Sequence, residues 1–513
     1  MIELKDVTKL RTRLWQPNLI VFVSSACIMI LELVASRIIA PYVGVSLYTW
    51  TSVIGVVLAG ISLGNYLGGR LADRWASLRL LGGIFLLGGL SCFGVLAADE
   101  LGRLTPGDWP IVVEILVLSA ALFFAPCVIL GTISPVVAKL AVRDLAKTGS
   151  TVGKIYAAGA VGSIVGTFAT GFVLISWFGT YAIVWGVAVM LLIMGLIFAL
   201  GSRWGPMLIA ALIIVGGSVL AFSRGWLRGP CTRETSYFCI KVREEERDGE
   251  PVRLLILDRL VQSYTSLNNP TKLVYEYEQI YAEATAYRAQ RDDRLRALFI
   301  GGGGYTFPRY MEAVYPGSDI HVLEIDPGVT KVAYELLGLS WDTDIVTYNQ
   351  DARLFLEGEP TEVYDLIFGD AFNDFSVPYH LTTKEFNDLV RAWLADDGLY
   401  VVNIVDGARG DFMRAYTYTL RQTFRHVYLA PAIASWRQSP RITFVLMASD
   451  VPLNLTAFRT IDAGDGDPLL ARQVLSEEEL DALLAEGRVV TLTDQYAPVD
   501  PMLAPVFRGE IPR

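Results

Sequence analysis

Residues 295–304 read Leu-Arg-Ala-Leu-Phe-Ile-Gly-Gly-Gly-Gly, and residues 320–326 read Ile-His-Val-Leu-Glu-Ile-Asp. A short apolar run closing on a glycine-rich turn is the pattern of a buried strand whose end must let backbone approach a ligand closely. The second run ends in Glu324, about 23 residues after Gly301, where a carboxylate can accept both hydroxyls of a ribose. A third group falls in register: 345–348 leads to Asp351 and Ala352, and Asp351 could accept from an adenine amino group. Together Gly301, Gly303, Glu324 and Asp351 describe an adenosine pocket without a phosphate clamp.

The same alternation continues outward. Residues 364–368 run into Gly369 and Asp370, residues 398–404 run to Asp406, and 441–447 form a last β run, with a helix expected at 384–394. Strands separated by helices predict a parallel doubly wound sheet, with its acidic and glycine groups on the ligand-binding edge. Ahead of it, 236–242 and 252–261 read as strands around a charged turn at 243–250, and 275–288 as a helix.

The front of the chain is built differently. The chain has 43 Lys+Arg and 53 Asp+Glu, of which the first 224 residues hold 15 and 9, leaving 28 and 44 for the rest. An acidic back half repels phosphate backbones, so nucleic acid is not expected as a partner. Apolar runs recur at roughly 18–40, 50–69, 80–97, 111–135, 155–177, 182–200 and 205–222, close to the ~20 residues that cross a bilayer as helix. They predict a transmembrane domain over 1–225 with about seven spans. Gly55, Gly60, Gly64 and Gly68, and Gly159, Gly162 and Gly166, have the three-to-five spacing of close helix packing. Glu32, well inside the first span with Arg37 five residues on, reads either as half of a buried ion pair or as a transport residue.

Basic residues fall on alternate loops. Lys5, Lys9, Arg11 and Arg13 precede the first span, Arg70, Arg74 and Arg79 follow the second, Lys139, Arg143, Lys147 and Lys154 the fourth, and Arg203 the sixth, against Arg103 alone on the other side. Twelve against one puts the N-terminus in the cytoplasm. The expected location is therefore the cell (inner) membrane, multi-pass, with the lipid bilayer as a partner. Three histidines without ligand spacing predict no metal site, and Cys27, Cys92 and Cys127 read as buried filler in apolar runs.

The soluble half resembles the spermidine synthase (polyamine aminopropyltransferase) family, and the whole chain resembles its membrane-fused members. Gly301, Gly302, Gly303 and Arg309 match the family's glycine loop, residues 323–326 its Val-Glu-Ile-Asp, and 257–262 its Leu-Asp-Gly-x-x-Gln. The resemblance implies an α/β Rossmann-like, methyltransferase-type domain over 235–450 with a β hairpin at 235–265, then a C-terminal extension over 451–513. It implies decarboxylated S-adenosylmethionine as co-substrate, with 5′-methylthioadenosine as product and no separate cofactor. Gln262 would contact the sulfonium end, Glu324 the ribose, Asp351 with Ala352 the adenine, and Pro378 would cover the nucleoside. Asp370 falls on the catalytic aspartate, and Tyr277 and Asn373 on substrate-binding positions for a small-molecule amine. A homodimer through the soluble domain also follows from the resemblance.

Two departures matter. The loop aspartate that would hold a diamine's distal ammonium is Gly304, and the second acid of the Asp-x-x-Asp pair is Asn373, followed by Asp374. Both remove anionic partners for putrescine. Two further readings therefore stay open: a transferase using S-adenosylmethionine or acting on a membrane-borne amine, and a transporter or sensor with a nucleoside-binding domain. The side of the C-terminal domain is contested as well. Seven spans place it outside, where Cys231 and Cys239 could bridge. A cytosolic co-substrate and the flanking Arg224 and Arg228 pull it inside. The span count leans to the extracytoplasmic side.

Overall fold

A computed structural model of the protein describes residues 17–104, 109–142, 145–200, 213, 216–221, 223–225, 229–371, 377–461, 468–487 and 489–507. Most of the expected seventh span lies outside the described residues, as do Asn373, Asp374, Lys5, Lys9, Arg11, Arg13, Arg143, Arg203 and Arg228. The chain forms two compact units, Met1–Cys239 and Ile240–Arg513.

In the first unit, six helices among the described residues are long and apolar enough to cross a membrane. They are α1 (Pro17–Val43), α2 (Leu47–Trp75), α3 (Leu78–Val95), α4 (Ile111–Ala141), α5 (Leu145–Trp177) and α6 (Thr180–Leu200). Serine hydroxyls set two of the starts: Ser46 accepts from the Thr49 N–H at 3.2 Å and Ser77 from the Leu80 N–H at 3.1 Å. Each satisfies one of the N–H groups a helix start leaves without a partner. The small-residue spacing is used for close approach. A Cβ on Gly162 would lie 2.2 Å from the Phe22 carbonyl of α1, and one on Gly64 2.3 Å from the Val128 carbonyl of α4. No side chain fits at either crossing, so backbones meet there directly.

Glu32 and Arg37 do not pair. Arg37 reaches the carbonyls of Thr235 and Ser236 and lies 3.8 Å from the Glu234 carboxylate. Among the described residues the buried Glu32 Oε2 has no hydrogen-bond partner. Glu234, in the two-residue strand β1 (Arg233–Glu234), accepts from the Thr180 N–H at 3.0 Å and so caps the start of α6. Residues 233–236 are thus fastened to the end of α1 and the start of α6. A disulfide joins Cys231 to Cys239, with the Cα atoms 5.3 Å apart.

The second unit opens with an antiparallel meander, β2 (Cys239–Arg247), β3 (Glu250–Leu257) and β4 (Leu260–Ser266). The sequence reading differs in two places. Residues 243–247 belong to β2, whose exposed Glu244, Glu245 and Glu246 read as a turn only by their charge. The run 252–261 splits at Asp258, which takes a left-handed φ of 53° in the turn before β4. Gln262 therefore sits on a third strand. Helix α7 (Glu276–Ala289) leads to the main sheet.

That sheet comprises β5 (Arg296–Ile300), β6 (Asp319–Leu323), β7 (Val346–Tyr348), β8 (Tyr364–Gly369), β9 (Leu394–Asp406), β10 (His426–Pro431) and β11 (Ile442–Ser449), in the order β10-β11-β9-β8-β5-β6-β7. The strands β5 to β9 run parallel, whereas β11 is antiparallel to both β9 and β10. The expected all-parallel sheet thus gains an antiparallel edge, because the short link from Pro431 to Ile442 suffices for antiparallel neighbours but not for a crossover. Phe299 and Phe368 stack at 4.6 Å between β5 and β8, with Tyr281 and Phe307 packed against them. β5 has β6 on one side and β8 on the other, so the strand order reverses there, and the crevice beyond the strand ends is where such sheets bind ligands.

Candidate active site

Two glycines shape the turn after β5. Gly301 has φ +100° and Gly303 φ +48°. A Cβ on Gly301 would also lie 2.4 Å from the Asp370 carbonyl oxygen, so the turn and the end of β8 interlock only without a side chain. The Asp370 N–H closes the junction by donating to the Ile300 carbonyl at 2.9 Å.

Asp370 is held from two sides. The Asn403 side-chain amide donates to Oδ1 at 2.8 Å, and the Tyr277 hydroxyl donates to Oδ2 at 3.3 Å. Burial pushes its carboxyl above the ordinary aspartate range, and these two donors oppose the rise. Tyr277 keeps its proton, since burial and the nearby Asp370 charge both raise its pKa well above that of a free phenol. Among the described residues one side-chain donor reaches each Asp370 oxygen, which leaves each a lone pair for a ligand.

Asp370 lies where two cavities meet. A cavity of about 30 Å³ runs under the glycine turn, lined by Gln262, Tyr277, Glu278, Gly301, Gly303 and Asp370 among others. A larger one of about 260 Å³ is lined by Gln262, Tyr275, Tyr277, Asp370, Asn403 and Arg441, with apolar walls from β4, β9 and β11. Gln262, Tyr277 and Asp370 line both. The fold therefore brings these three together with Gly301 and Gly303, from segments more than a hundred residues apart.

Glu324 is turned onto the glycine loop. It accepts from the N–H groups of Gly302 at 2.9 Å, Gly303 at 3.3 Å and Asp326 at 2.9 Å. Burial raises its pKa against these donors. Asp351 caps the short helix beginning at Ala352, its Oδ1 accepting from the N–H groups of Arg353 and Leu354, while Oδ2 faces His380 Nε2 at 3.5 Å. Pro378 lines a small apolar recess with Ile300, Ala371 and Leu381.

The motifs did not point to four residues that the structure places here. Asn403, whose buried Oδ1 has no partner among the described residues, and Arg441 line the larger cavity. Ser263, whose hydroxyl is also unpartnered among the described residues, and Glu278 line the smaller. Asn403 left one trace, as the lone amide in the apolar run 399–405. Glu278 is buried, and burial together with the Asp370 charge pushes its carboxyl up to about 8. Ser263 explains Gly304: a Cβ there would lie 1.9 Å from Ser263 Oγ, so the space of the expected loop aspartate is already filled.

No family model matches the chain. It is similar to a probable polyamine aminopropyl transferase of Bifidobacterium longum, 32% identical over 146 residues, which cover 28% of this chain and 32% of that one. The chain thus spans about a third of that relative's length. It is also similar to polyamine aminopropyltransferase 2 of Streptomyces coelicolor, 26% identical over 414 residues, covering 75% of this chain and 72% of that one. Among solved structures, a probable spermidine synthase of Corynebacterium glutamicum aligns with a TM-score of 0.44 at 24% identity, over 51% of this chain and 95% of the other.

Proposed function

We propose that this protein is a membrane-anchored aminopropyltransferase that moves the aminopropyl group of decarboxylated S-adenosylmethionine to an amine. The observation that carries the reading is Asp370, fixed by Tyr277 and Asn403 on the wall shared by the glycine-turn cavity and the larger one. Similarity to named polyamine aminopropyltransferases supports it.

The nucleoside would lie along the strand ends, its ribose on Glu324 and its adenine toward Asp351 and Ala352. A carboxylate offers about four lone-pair sites, and three on Glu324 already hold backbone N–H groups. Two ribose hydroxyls therefore require one contact to yield, and the 3.3 Å bond from Gly303 is the longest. The acceptor amine would enter through the larger cavity. Its nitrogen lone pair forms the new bond to the carbon beside the sulfonium, the C–S pair returns to sulfur, and neutral 5′-methylthioadenosine leaves. The nitrogen sheds one proton to Asp370, whose raised pKa makes it a better base than a solvated aspartate.

Topology belongs to the same proposal. With the N-terminus inside, the end of α1 and the start of α6 both face outside, and residues 233–236 are bonded to both. The Cys231–Cys239 bridge suits an oxidising compartment. The chain would then enter the catalytic unit from the extracytoplasmic face. Asp73 and Lys139, paired at 2.9 Å, fall together on the opposite, cytoplasmic side.

A second reading, a transferase using S-adenosylmethionine itself, is favoured by Gly304 and Asn373, where the family's acids are missing. Replacing the base tests the first reading. Asp370→Asn keeps the shape and should lower turnover by ~10²-fold or more while 5′-methylthioadenosine still binds. Equal turnover would remove Asp370 from the mechanism.

A further inference from the structure

The C-terminal extension returns to the adenine end of the site. Its residues 492–494 run beside the start of the helix Lys384–Trp393. The Lys384 N–H donates to the Leu492 carbonyl at 2.8 Å, and the Asp494 N–H to the Glu385 carboxylate at 3.1 Å. The Leu492 N–H in turn donates to the buried Thr419 hydroxyl at 2.9 Å. These bonds aim Asp494 at Arg353, 141 residues earlier in the chain. Asp494 Oδ1 accepts from Arg353 Nη1 at 2.7 Å and from the Thr383 hydroxyl at 2.8 Å, and its Oδ2 accepts from Arg353 Nη2. The pairing is bidentate, the geometry in which a carboxylate fixes the plane of a guanidinium. The Arg353 side chain is only 17% exposed, so water competes weakly for it. Its hydrogen bonds are the first cause that holds the Asp494 carboxyl below the ordinary aspartate range.

Arg353 carries this constraint to the adenine wall. Its backbone N–H donates to Asp351 Oδ1 at 2.9 Å, and its Nη1 donates also to the His380 carbonyl at 2.9 Å. Both backbone donors to Asp351 take Oδ1, which leaves Oδ2 for an adenine amino group. His380 Nε2 stands 3.5 Å from that Oδ2, and Pro378 lies two residues before it. One guanidinium thus sets the segment 378–380 against the Asp351 carboxylate, and Asp494 sets the guanidinium. Without Asp494, Arg353 keeps Glu357 and the His380 carbonyl but loses the partner that fixes its plane. We infer that Asp494 of the C-terminal extension is a positioning residue for adenine recognition, acting through Arg353 on Asp351 and on the segment that carries His380. The inference rests on the nucleoside placement proposed above and gives the extension a part in it. A pair this near the surface adds little to stability, so its loss should register in the choice of base and not in folding.

Calorimetry on the full-length protein in detergent tests it, comparing 5′-methylthioadenosine with 5′-methylthioinosine, which lacks the amino group. The wild type should bind the adenosine compound at least ~10-fold more tightly. Asp494→Asn keeps the size and removes the charge. It should weaken 5′-methylthioadenosine by ~10-fold and 5′-methylthioinosine by less than ~2-fold, with the melting temperature of the unliganded protein unchanged. Asp494→Glu, which can still meet the guanidinium with both oxygens, should restore most of the preference. Equal losses for the two nucleosides, or no loss for either, overturn the inference and leave the function standing. A wild type that binds both nucleosides alike overturns it as well. Should Asp494→Asn fail to fold, Arg353→Lys is read in its place, since lysine keeps the charge and loses the fork. An unchanged preference in that variant is equally fatal. Failure of the wild type to bind 5′-methylthioadenosine at all defeats the function, and the inference falls with it.

Discussion

Glu278 shows how burial and function compete in one side chain. An ordinary glutamate titrates near 4.5, and this one is pushed up to about 8, first by burial and then by Asp370. The sign follows from proton counting. Between these two values the folded chain keeps a proton that the unfolded chain has given up, so stability falls as pH rises through that window. Above about pH 8 the full cost of a buried charge remains. Glu278→Gln removes the titration and keeps an acceptor for the Tyr275 N–H. The wild-type melting temperature should therefore fall relative to the variant from pH 5 to pH 9, the two curves converging near pH 5. Parallel curves would show that Glu278 ionises as freely folded as unfolded. Arg441, Glu278 and Asn403 escape a sequence reading for one reason. Each meets Asp370 or its cavity only through the tertiary fold, and none stands at a spacing that chemistry demands. Glu324 and Asp370 were legible because each ends an apolar run, where a strand's last residue must face the ligand edge.

The turn after β5 illustrates how an element fixes chemistry by excluding atoms. Glycine at 301 and 303 follows from positive φ, but Gly304 is set by a neighbour on β4. That neighbour was hidden because residues 252–261 look like one strand, and only the left-handed Asp258 reveals the extra turn that carries Gln262 and Ser263 to the site. Gly304→Asp should destabilise the chain by ~1–3 kcal/mol through overpacking, without improving putrescine use. Adding Ser263→Gly should return part of the loss, read as melting temperature. A stable single variant would mean that the contact relaxes freely. The antiparallel edge was equally invisible, since strand direction depends on connection geometry and not on the apolar pattern of β11.

The two halves of the chain differ in how directly sequence encodes their structure. The six long apolar helices among the described residues announce themselves by length, and the crossings at Gly64 and Gly162 by spacing. In the proposed topology the side of the Ile240–Arg513 unit would follow from residues 231–239, whose bonds to Arg37 and Thr180 no periodicity encodes. A variant retaining only Cys231 and Cys239, with Cys27, Cys92 and Cys127 replaced, should react with an impermeant maleimide on intact cells after mild reduction. Labelling only after lysis would place the loop in the cytoplasm and remove a crossing. Glu32, with a buried oxygen that no described group satisfies, is a residue of the helical unit whose burial is costly.

The central claim concerns the bond that is broken. Purified full-length protein, given decarboxylated S-adenosylmethionine or S-adenosylmethionine with a mixture of amines, can be assayed by mass spectrometry for the nucleoside released and the amine formed. 5′-Methylthioadenosine and an amine heavier by one aminopropyl group are expected from the decarboxylated nucleoside alone, with both formed at least ~10²-fold more slowly by Asp370→Asn. Release of S-adenosylhomocysteine with a methylated amine, or no product from the decarboxylated nucleoside while S-adenosylmethionine is consumed, would contradict it.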